Sequence, residues 1–347
     1  MTALPVLITW LTLVDALPNE AYPDPAKRAI ERALPRIDQG AASYTTHRTC
    51  FSCHHQATAI LSLSSARARG FPVAHEIIKK QLDFTLDDFK PKHDQIVKGQ
   101  GVPGGNTQTA YALFALDAGR YPADEITKAL IEFLLVRQKS DGSWPALANR
   151  PPTEGSAFIN AALALYALHA YAPAKEAKDA DELRERIDKA FRKGRDWLLE
   201  GKPATTEDKV GRLRGLVWAG ADKEEIEAAR AALLKEQRDD GSWAQLPELD
   251  GDAYATGTVL MALRCAGLLT TDAAYEKGVK YLVKTQKPDG SWLVQTRSRP
   301  VQVFFDNGDP GGKSQFISFA ATGWATMALL ERVPVAGWPV MLSIAIP

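Results

Sequence analysis

The chain has 347 residues, of which 45% are apolar and 24% charged, the composition of a globular protein with a sizeable core. Lys+Arg and Asp+Glu both total 42, so the formal net charge is zero. This balance argues against nucleic acid or an anionic membrane surface as the main partner. No stretch beyond the N-terminus approaches the roughly 20 apolar residues of a membrane span, which leaves peripheral membrane contact open.

The N-terminus, residues 1–20, resembles a signal peptide. The apolar run Leu4–Val14 is followed by Val14-Asp15-Ala16, a small-x-small pattern, although basic residues ahead of the run are missing. We expect export to a periplasmic or extracellular location, and the alternative is a cytoplasmic protein with a buried or disordered N-terminal segment. At the other end, residues 335–347 form an apolar, proline-interrupted tail that is too short to span a membrane.

Six pairs of helical patterns follow one another between residues 21 and 334. In each pair, a helix with charges on one face precedes an Ala-rich helix that is apolar nearly all round, as expected for an outer and an inner helix. The pairs are Pro25–Gln39 with His54–Gly70, Ala74–Lys90 with Asn106–Gly119, Pro122–Gln138 with Gly155–Ala170, Asp181–Glu200 with Lys209–Gly220, Lys223–Gln237 with Asp252–Gly267, and Asp272–Gln286 with Gln315–Arg332. An even number of such hairpins can close into a ring that buries every inner helix. The predicted fold class is therefore all-α, a single α/α toroid (α6/α6 barrel), with an open helical array as the alternative.

A heptapeptide, Gln-x-x-Asp-Gly-Ser-Trp, occurs three times between an outer and an inner helix, at residues 138–144, 237–243 and 286–292. The interval between the first two copies is about twice that between the last two, which indicates a repeat with one degenerate unit. Asp-Gly favours a turn after a helix, and the Trp offers an apolar face for packing on the next unit.

The heptapeptide resembles the QW motif of the prenyltransferase and squalene–hopene cyclase repeat superfamily, and Asp252-Ala-Tyr-Ala-Thr-Gly257 resembles the start of one of its inner helices. This resemblance implies a terpenoid cyclase- or prenyltransferase-like protein that holds an isoprenoid ligand in a central apolar cavity. It also implies a structural role for the repeated Gln and Trp residues. The chain has the length for one toroid, whereas triterpene cyclases have two.

The resemblance also implies a candidate acid. Triterpene cyclases carry an Asp-x-Asp-Asp acid at the start of an inner helix, and the matching segment here, Asp250-Gly-Asp252-Ala253, keeps two of the three carboxylates. Asp252, assisted by Asp250, would protonate an alkene or epoxide, and aromatic faces would stabilise the resulting cation. The candidates for that lining are Tyr254, Phe304, Phe305, Phe316, Phe319 and Trp324. The alternative is that Asp252 or Asp250 is an ordinary helix N-cap and that the aromatic residues are core.

A second candidate site is Cys50-Phe-Ser-Cys53-His54-His55, at the start of the first inner helix. Cys-x-x-Cys-His is the attachment pattern of haem c, with both thiols bonded to the haem and His54 as an axial ligand. A zinc ion held by Cys50, Cys53 and either His54 or His55 is an equal alternative, and protein prenyltransferases of the resembled superfamily bind zinc at the starts of inner helices. A disulfide or two inert thiols are the third interpretation.

Three functions follow from these patterns. The first is an isoprenoid-acting enzyme with Asp252 as its acid. The second is an exported haem- or zinc-binding protein that uses Cys50, Cys53 and His54, and the third is a non-catalytic binding toroid. Both candidate sites fall at the start of an inner helix, so we expect the chemistry at one common rim.

Overall fold

The computed structural model describes residues 24–174, 180–299 and 304–335. The predicted signal segment, residues 1–20, lies outside the described residues, as does the apolar tail 335–347 beyond Val335. Among the described residues, no helix combines the length and hydropathy needed to cross a membrane.

Outer and inner helices alternate along the chain, as the periodicity predicts. The outer helices are α1 (Asp24–His47), α3 (His75–Phe89), α6 (Glu125–Arg137), α8 (Asp181–Glu200), α10 (Lys223–Leu234) and α12 (Ala273–Thr285). The inner helices are α2 (Thr58–Ala68), α5 (Gly105–Ala118), α7 (Ala157–Ala170), α9 (Thr206–Trp218), α11 (Ala253–Cys265) and α13 (Gln315–Leu330). The short pieces are a π-helical turn (Cys53–Ala57), 3₁₀ turns (Lys90–Lys92 and Gly312–Ser314), α4 (His93–Ile96) and an antiparallel pair of strands, β1 (Trp243–Ala244) and β2 (Gly251–Asp252).

The inner helices form a closed ring. Each packs against the next, in the order α2, α5, α7, α9, α11 and α13, and α13 packs in turn against α2. On the outside, α1 contacts both α3 and α12, so the first and last hairpins are neighbours. The inner helices are almost wholly buried, and in α13 Phe316 is the one residue outside the buried set. The α/α toroid is thus confirmed, and the ring is closed.

The three heptapeptides tie consecutive outer helices together. Each Gln donates one amide hydrogen bond to its own turn, at Gly142, Gly241 or Gly290, and another to the next outer helix, at Ala190, Ala274 or Ala29. Each Trp is buried and donates its indole N–H to a carbonyl of the preceding helix, at Leu134, Leu233 or Leu282. The third copy reaches α1, so the repeat itself closes the ring. A Cβ on Gly290 (φ 86°) would lie 2.2 Å from the carbonyl oxygen of Arg32, which explains the glycine in this turn.

Two local features differ from the sequence expectation. Helix α1 continues past Gln39 to His47, because Ala41 and Tyr44 in this extension are themselves buried against the ring. The pairing of Trp243–Ala244 with Gly251–Asp252 was not predicted, since two-residue strands carry no periodic signal.

Candidate functional site

The inner helices begin around one mouth of the toroid, where there is a cavity of about 540 Å³. Its wall combines aromatic and aliphatic side chains with three basic ones. The lining residues are Tyr44, His54, Arg150, Pro151, Thr153, Glu154, Thr296, Ser298, Arg299, Phe304, Lys313, Phe316 and Ile317. We call this space the mouth cavity. Its volume lies within the range typical of small-ligand sites.

A π-helical turn, Cys53–Ala57, brings the Cys-His motif to the mouth cavity. The wide turn is closed by a hydrogen bond from the N–H of Ala57 to the carbonyl of Ser52, at 3.2 Å. Phe51, two residues before this turn, is fixed on both sides, because its N–H donates to Asp88 and its carbonyl accepts from Gln108. Single π turns inside helices occur frequently at functional sites.

Three side chains with metal-ligand atoms meet in the wall of this cavity. The Cys53 thiol donates to Oε1 of Glu154 at 3.3 Å, and Nδ1 of His54 lies 3.8 Å from both Cys53 Sγ and Glu154 Oε1. Cys53, His54 and Glu154 are hereafter the wall cluster. Cys53 and Glu154 are buried and His54 is half-buried, while the other Glu154 oxygen pairs with the guanidinium of Arg150. A tight loop, in which the Glu154 N–H donates to the Arg150 carbonyl at 3.0 Å, presents this carboxylate.

Burial keeps the wall cluster's cysteine and histidine neutral at neutral pH. It lowers the pKa of His54 to about 3, and the neighbouring His55 acts in the same direction. Burial, reinforced by Glu154, raises the pKa of the Cys53 thiol well above its usual value. The histidine is therefore an unprotonated imidazole, the form in which it can bind a metal.

Cys50 and His55 lie apart from the wall cluster. The sulfur of Cys50 is 3.7 Å from the hydroxyl of Tyr44, and all three cysteines of the chain are free thiols. His55 is fully buried between the rings of Tyr44 and Phe319, at centroid distances of 4.7 and 4.3 Å, and its Nε2 hydrogen bonds with the amide of Asn307 at 2.6 Å. His55 thereby anchors the loop before α13. The structure brings together only Cys53 and His54 of the four predicted ligands.

Asp252 and Asp250 do not line the mouth cavity. Asp252 is the N-cap of α11, where one oxygen accepts from the N–H of Ala255 at 2.8 Å and the other accepts from the Gln245 amide at 2.9 Å. Burial raises its pKa, although these hydrogen bonds oppose the shift. Asp250 is exposed. The local geometry is that of a helix cap, the alternative that the sequence left open.

The predicted aromatic lining is divided among several places. Phe316 and Phe304 line the mouth cavity, and Phe305 packs against Phe316 at 5.4 Å. Tyr254 is buried. Trp324 borders a separate void of about 30 Å³ near the other ends of the inner helices. Phe319, the remaining candidate, stacks on His55.

A buried acid that the sequence did not suggest lies at the start of α9. Glu207 is buried, and its Oε1 accepts from the Tyr254 hydroxyl at 3.0 Å. Burial raises the pKa of Glu207 to about 8, against the opposing effects of this hydrogen bond and of Arg214. No sequence signal marks Glu207, because a glutamate in the first turn of a helix is ordinary. Glu154 was also missed, because it lies in the loop between α6 and α7, 101 residues beyond Cys53 in the sequence.

Known proteins resemble this chain in two respects: a family model matches part of its sequence, and solved structures match its fold. Residues 177–337 match the family model of the squalene-hopene cyclase C-terminal domain. No protein of curated function matches the chain significantly.

Solved structures extend the likeness to almost the whole chain. The type II terpene cyclase MstE from Scytonema is 15% identical, with a TM-score of 0.54 over 90% of this chain and 100% of that one. The ent-copalyl diphosphate synthase from Streptomyces platensis is 18% identical, with a TM-score of 0.53 over 79% of this chain and 50% of that one. A glycosidase solved with glucose is 10% identical, with a TM-score of 0.56 over 88% of this chain and 99% of that one. The resemblance to the squalene–hopene cyclase superfamily is thus confirmed over residues 177–337, where the family model matches. The structural likeness, at these identities, concerns the fold alone.

Proposed function

We propose that this protein is a terpenoid cyclase- or prenyltransferase-like enzyme that binds an isoprenoid substrate with an anionic head group in the mouth cavity. The observation that carries the proposal is the composition of the cavity wall. Phe304, Phe316 and Ile317 offer apolar surface for a hydrocarbon chain, and Arg299 and Lys313 offer positive charge for a head group. A variant of MstE, another of the similar structures, has been solved in complex with its substrate, geranylgeranyl dihydroxybenzoate.

Direct proton donation by Asp252 is not part of this proposal. Both of its carboxylate oxygens accept hydrogen bonds within the cap of α11, and neither borders the mouth cavity. Asparagine caps a helix as well as aspartate does. We therefore expect Asp252→Asn to retain folding and any turnover of an isoprenoid, whereas loss of turnover in the folded variant would restore Asp252 as the acid.

Calorimetric titration with three probes tests the proposed ligand class. Geranylgeranyl diphosphate has both the isoprenoid chain and the anionic head group. Geranylgeraniol has the isoprenoid chain alone, and inorganic pyrophosphate has the anionic group alone. We expect the diphosphate ester to bind tightest, because it alone uses both surfaces. Mass spectrometry of the same mixtures would detect conversion, and binding without conversion would favour the non-catalytic toroid.

Two variants separate the contributions of the isoprenoid chain and of the head group to binding affinity. Lys313→Met should weaken the diphosphate ester about tenfold or more, because a hydrogen bond to a charged group is worth about 1.5–3 kcal/mol, and should leave geranylgeraniol unaffected. Phe316→Ala should weaken the binding of both geranylgeranyl diphosphate and geranylgeraniol, because both have the isoprenoid chain. The matched controls are Lys287→Met, in an exposed turn, and Trp324→Phe, at the separate void. Equal effects from the controls, or no binding of any probe, would refute the proposal.

A further inference from the structure

We propose that Cys53, His54 and Glu154 bind a single divalent metal ion of the zinc class, with a fourth coordination position facing the mouth cavity. This ligand set differs from the Cys50, Cys53 and histidine set suggested by the sequence motif. It exchanges Cys50 for a carboxylate that lies 101 residues beyond Cys53. The inference goes beyond the proposed isoprenoid binding and does not depend on it.

The spacing of the three ligand atoms supports a shared metal. Zinc binds sulfur at about 2.3 Å, imidazole nitrogen at about 2.0–2.1 Å and carboxylate oxygen at about 2.0–2.2 Å, with tetrahedral angles in most sites. These values require ligand atoms to lie about 3.3–3.6 Å from one another. The three distances in the wall cluster are 3.3, 3.8 and 3.8 Å, so small side-chain movements suffice.

The charges of the wall cluster also suit a divalent cation. Binding of the ion would release the Cys53 thiol proton, and the resulting thiolate together with the Glu154 carboxylate would then offset the two positive charges of the ion. Buried ionic groups are stable only when they are compensated in this way. Arg150 contacts the second oxygen of Glu154, which leaves Oε1 directed towards Cys53 and His54. Such an outer contact orients a ligating carboxylate.

Exposure indicates where the fourth position lies. Cys53 is 1% exposed and closes the inner side of the wall cluster, while His54 and Glu154 line the mouth cavity. Three protein ligands and one open position are typical of catalytic zinc sites, whereas structural sites use four protein ligands. A bound ion would supply Lewis acidity at the cavity wall.

The contacts of the Cys50 and Cys53 thiols argue against attachment of haem c. Its attachment requires both thiols of the motif at one porphyrin edge. Here the sulfur of Cys50 contacts Tyr44 and that of Cys53 contacts Glu154, so the two thiols have different partners. The mixed sulfur, nitrogen and oxygen donors of the wall cluster instead match zinc and, as a spectroscopic substitute, cobalt(II).

Cobalt(II) titration of the chelator-treated full chain tests the site without any substrate. We expect one equivalent to produce a thiolate-to-cobalt charge-transfer band and the visible bands of a tetrahedral ion, and zinc to displace it. Cys53→Ser should abolish the charge-transfer band, and Glu154→Gln should weaken cobalt binding at least about tenfold. Cys50→Ser is the matched control and should leave stoichiometry and affinity within about twofold of the wild type.

X-ray absorption of the zinc-loaded wild type provides a second measurement that does not depend on the folding of any variant. We expect one sulfur in the coordination shell together with nitrogen and oxygen ligands. Two sulfurs, or loss of cobalt binding in Cys50→Ser equal to that in Cys53→Ser, would overturn the assignment in favour of the Cys-x-x-Cys pair. A Soret band that disappears in Cys50→Ser, or a wild type that binds no metal, would overturn it as well.

Discussion

Replacing Gln286 by alanine tests whether the ring is closed in solution. Gln286 ends the last outer helix, and its side-chain amide donates to Ala29 in the first outer helix at 2.8 Å and to Gly290 at 3.1 Å. In a closed toroid both hydrogen bonds join ordered structure. In an open array Ala29 would belong to a free end, and the contact would not form.

The expected cost follows mainly from the two hydrogen bonds that the Gln286 amide donates, because the two that its Oε1 accepts from Arg32 are exposed to solvent. Each donated bond contributes about 1 kcal/mol, and the carbonyl groups left without partners add to the loss, so Gln286→Ala should lower the free energy of unfolding by about 2–3 kcal/mol. Unfolding entropy of about 2.1 cal/mol/K per residue over roughly 300 ordered residues is about 0.6 kcal/mol/K. The melting temperature should therefore fall by about 3–5 °C, which circular dichroism or differential scanning calorimetry can measure.

Gln138→Ala and Gln237→Ala are the controls, because each removes the same two amide-donated hydrogen bonds from an internal junction, although Gln286 Oε1 additionally accepts from Arg32. In a closed ring all three variants should lose similar stability. Clear destabilisation by the two internal variants, with a fall of less than about 2 °C for Gln286→Ala, which is the loss expected from its turn bond to Gly290 alone, would refute ring closure and restore the open array.

Three further predictions concern buried groups. The pKa of Glu207 is about 8 in the folded chain and near 4.5 when unfolded, so the folded chain holds the proton more tightly. The resulting contribution to the free energy of unfolding is fully present below pH 4.5 and is lost as the pH rises towards 8. Across that window, denaturation curves should show wild type losing about 1.4 kcal/mol per pH unit relative to Glu207→Gln; parallel pH profiles would contradict the shift. Asp252→Ala should lower the unfolding free energy by about 1 kcal/mol and Asp252→Asn by much less, and equal losses would argue against the cap. Gly211→Ala should cost about 1–3 kcal/mol in urea unfolding, because the new Cβ would lie 2.5 Å from the backbone nitrogen of Ile159; a neutral result would contradict this helix packing.

The architecture was predictable because its signals are local and repeated. The charged outer pattern, the apolar inner pattern and the Asp-Gly turn of each heptapeptide all lie within a few residues of the structure that they specify. Partners across the ring were not predictable in this way. The acceptor of Gln286 is Ala29, 257 residues away, and an alanine carbonyl has no sequence signature.

The candidate site was predictable only in part. The Cys-His motif indicated Cys53 and His54, because short ligand spacings on one turn are recognisable. Glu154 joins them through a loop that follows a different outer helix, so only the packing of α2, α5 and α7 side by side brings it near. Asp252 illustrates the opposite limit. A family motif and a helix cap use the same residue at the same position, and only the hydrogen bonds of its two oxygens indicate the cap.

A crystal structure with bound geranylgeranyl diphosphate tests the central claim most directly. We predict ligand density in the mouth cavity, with the isoprenoid chain against Phe304 and Phe316 and the diphosphate beside Lys313. Density at any other place on the toroid, with the mouth cavity holding solvent alone, would contradict the account.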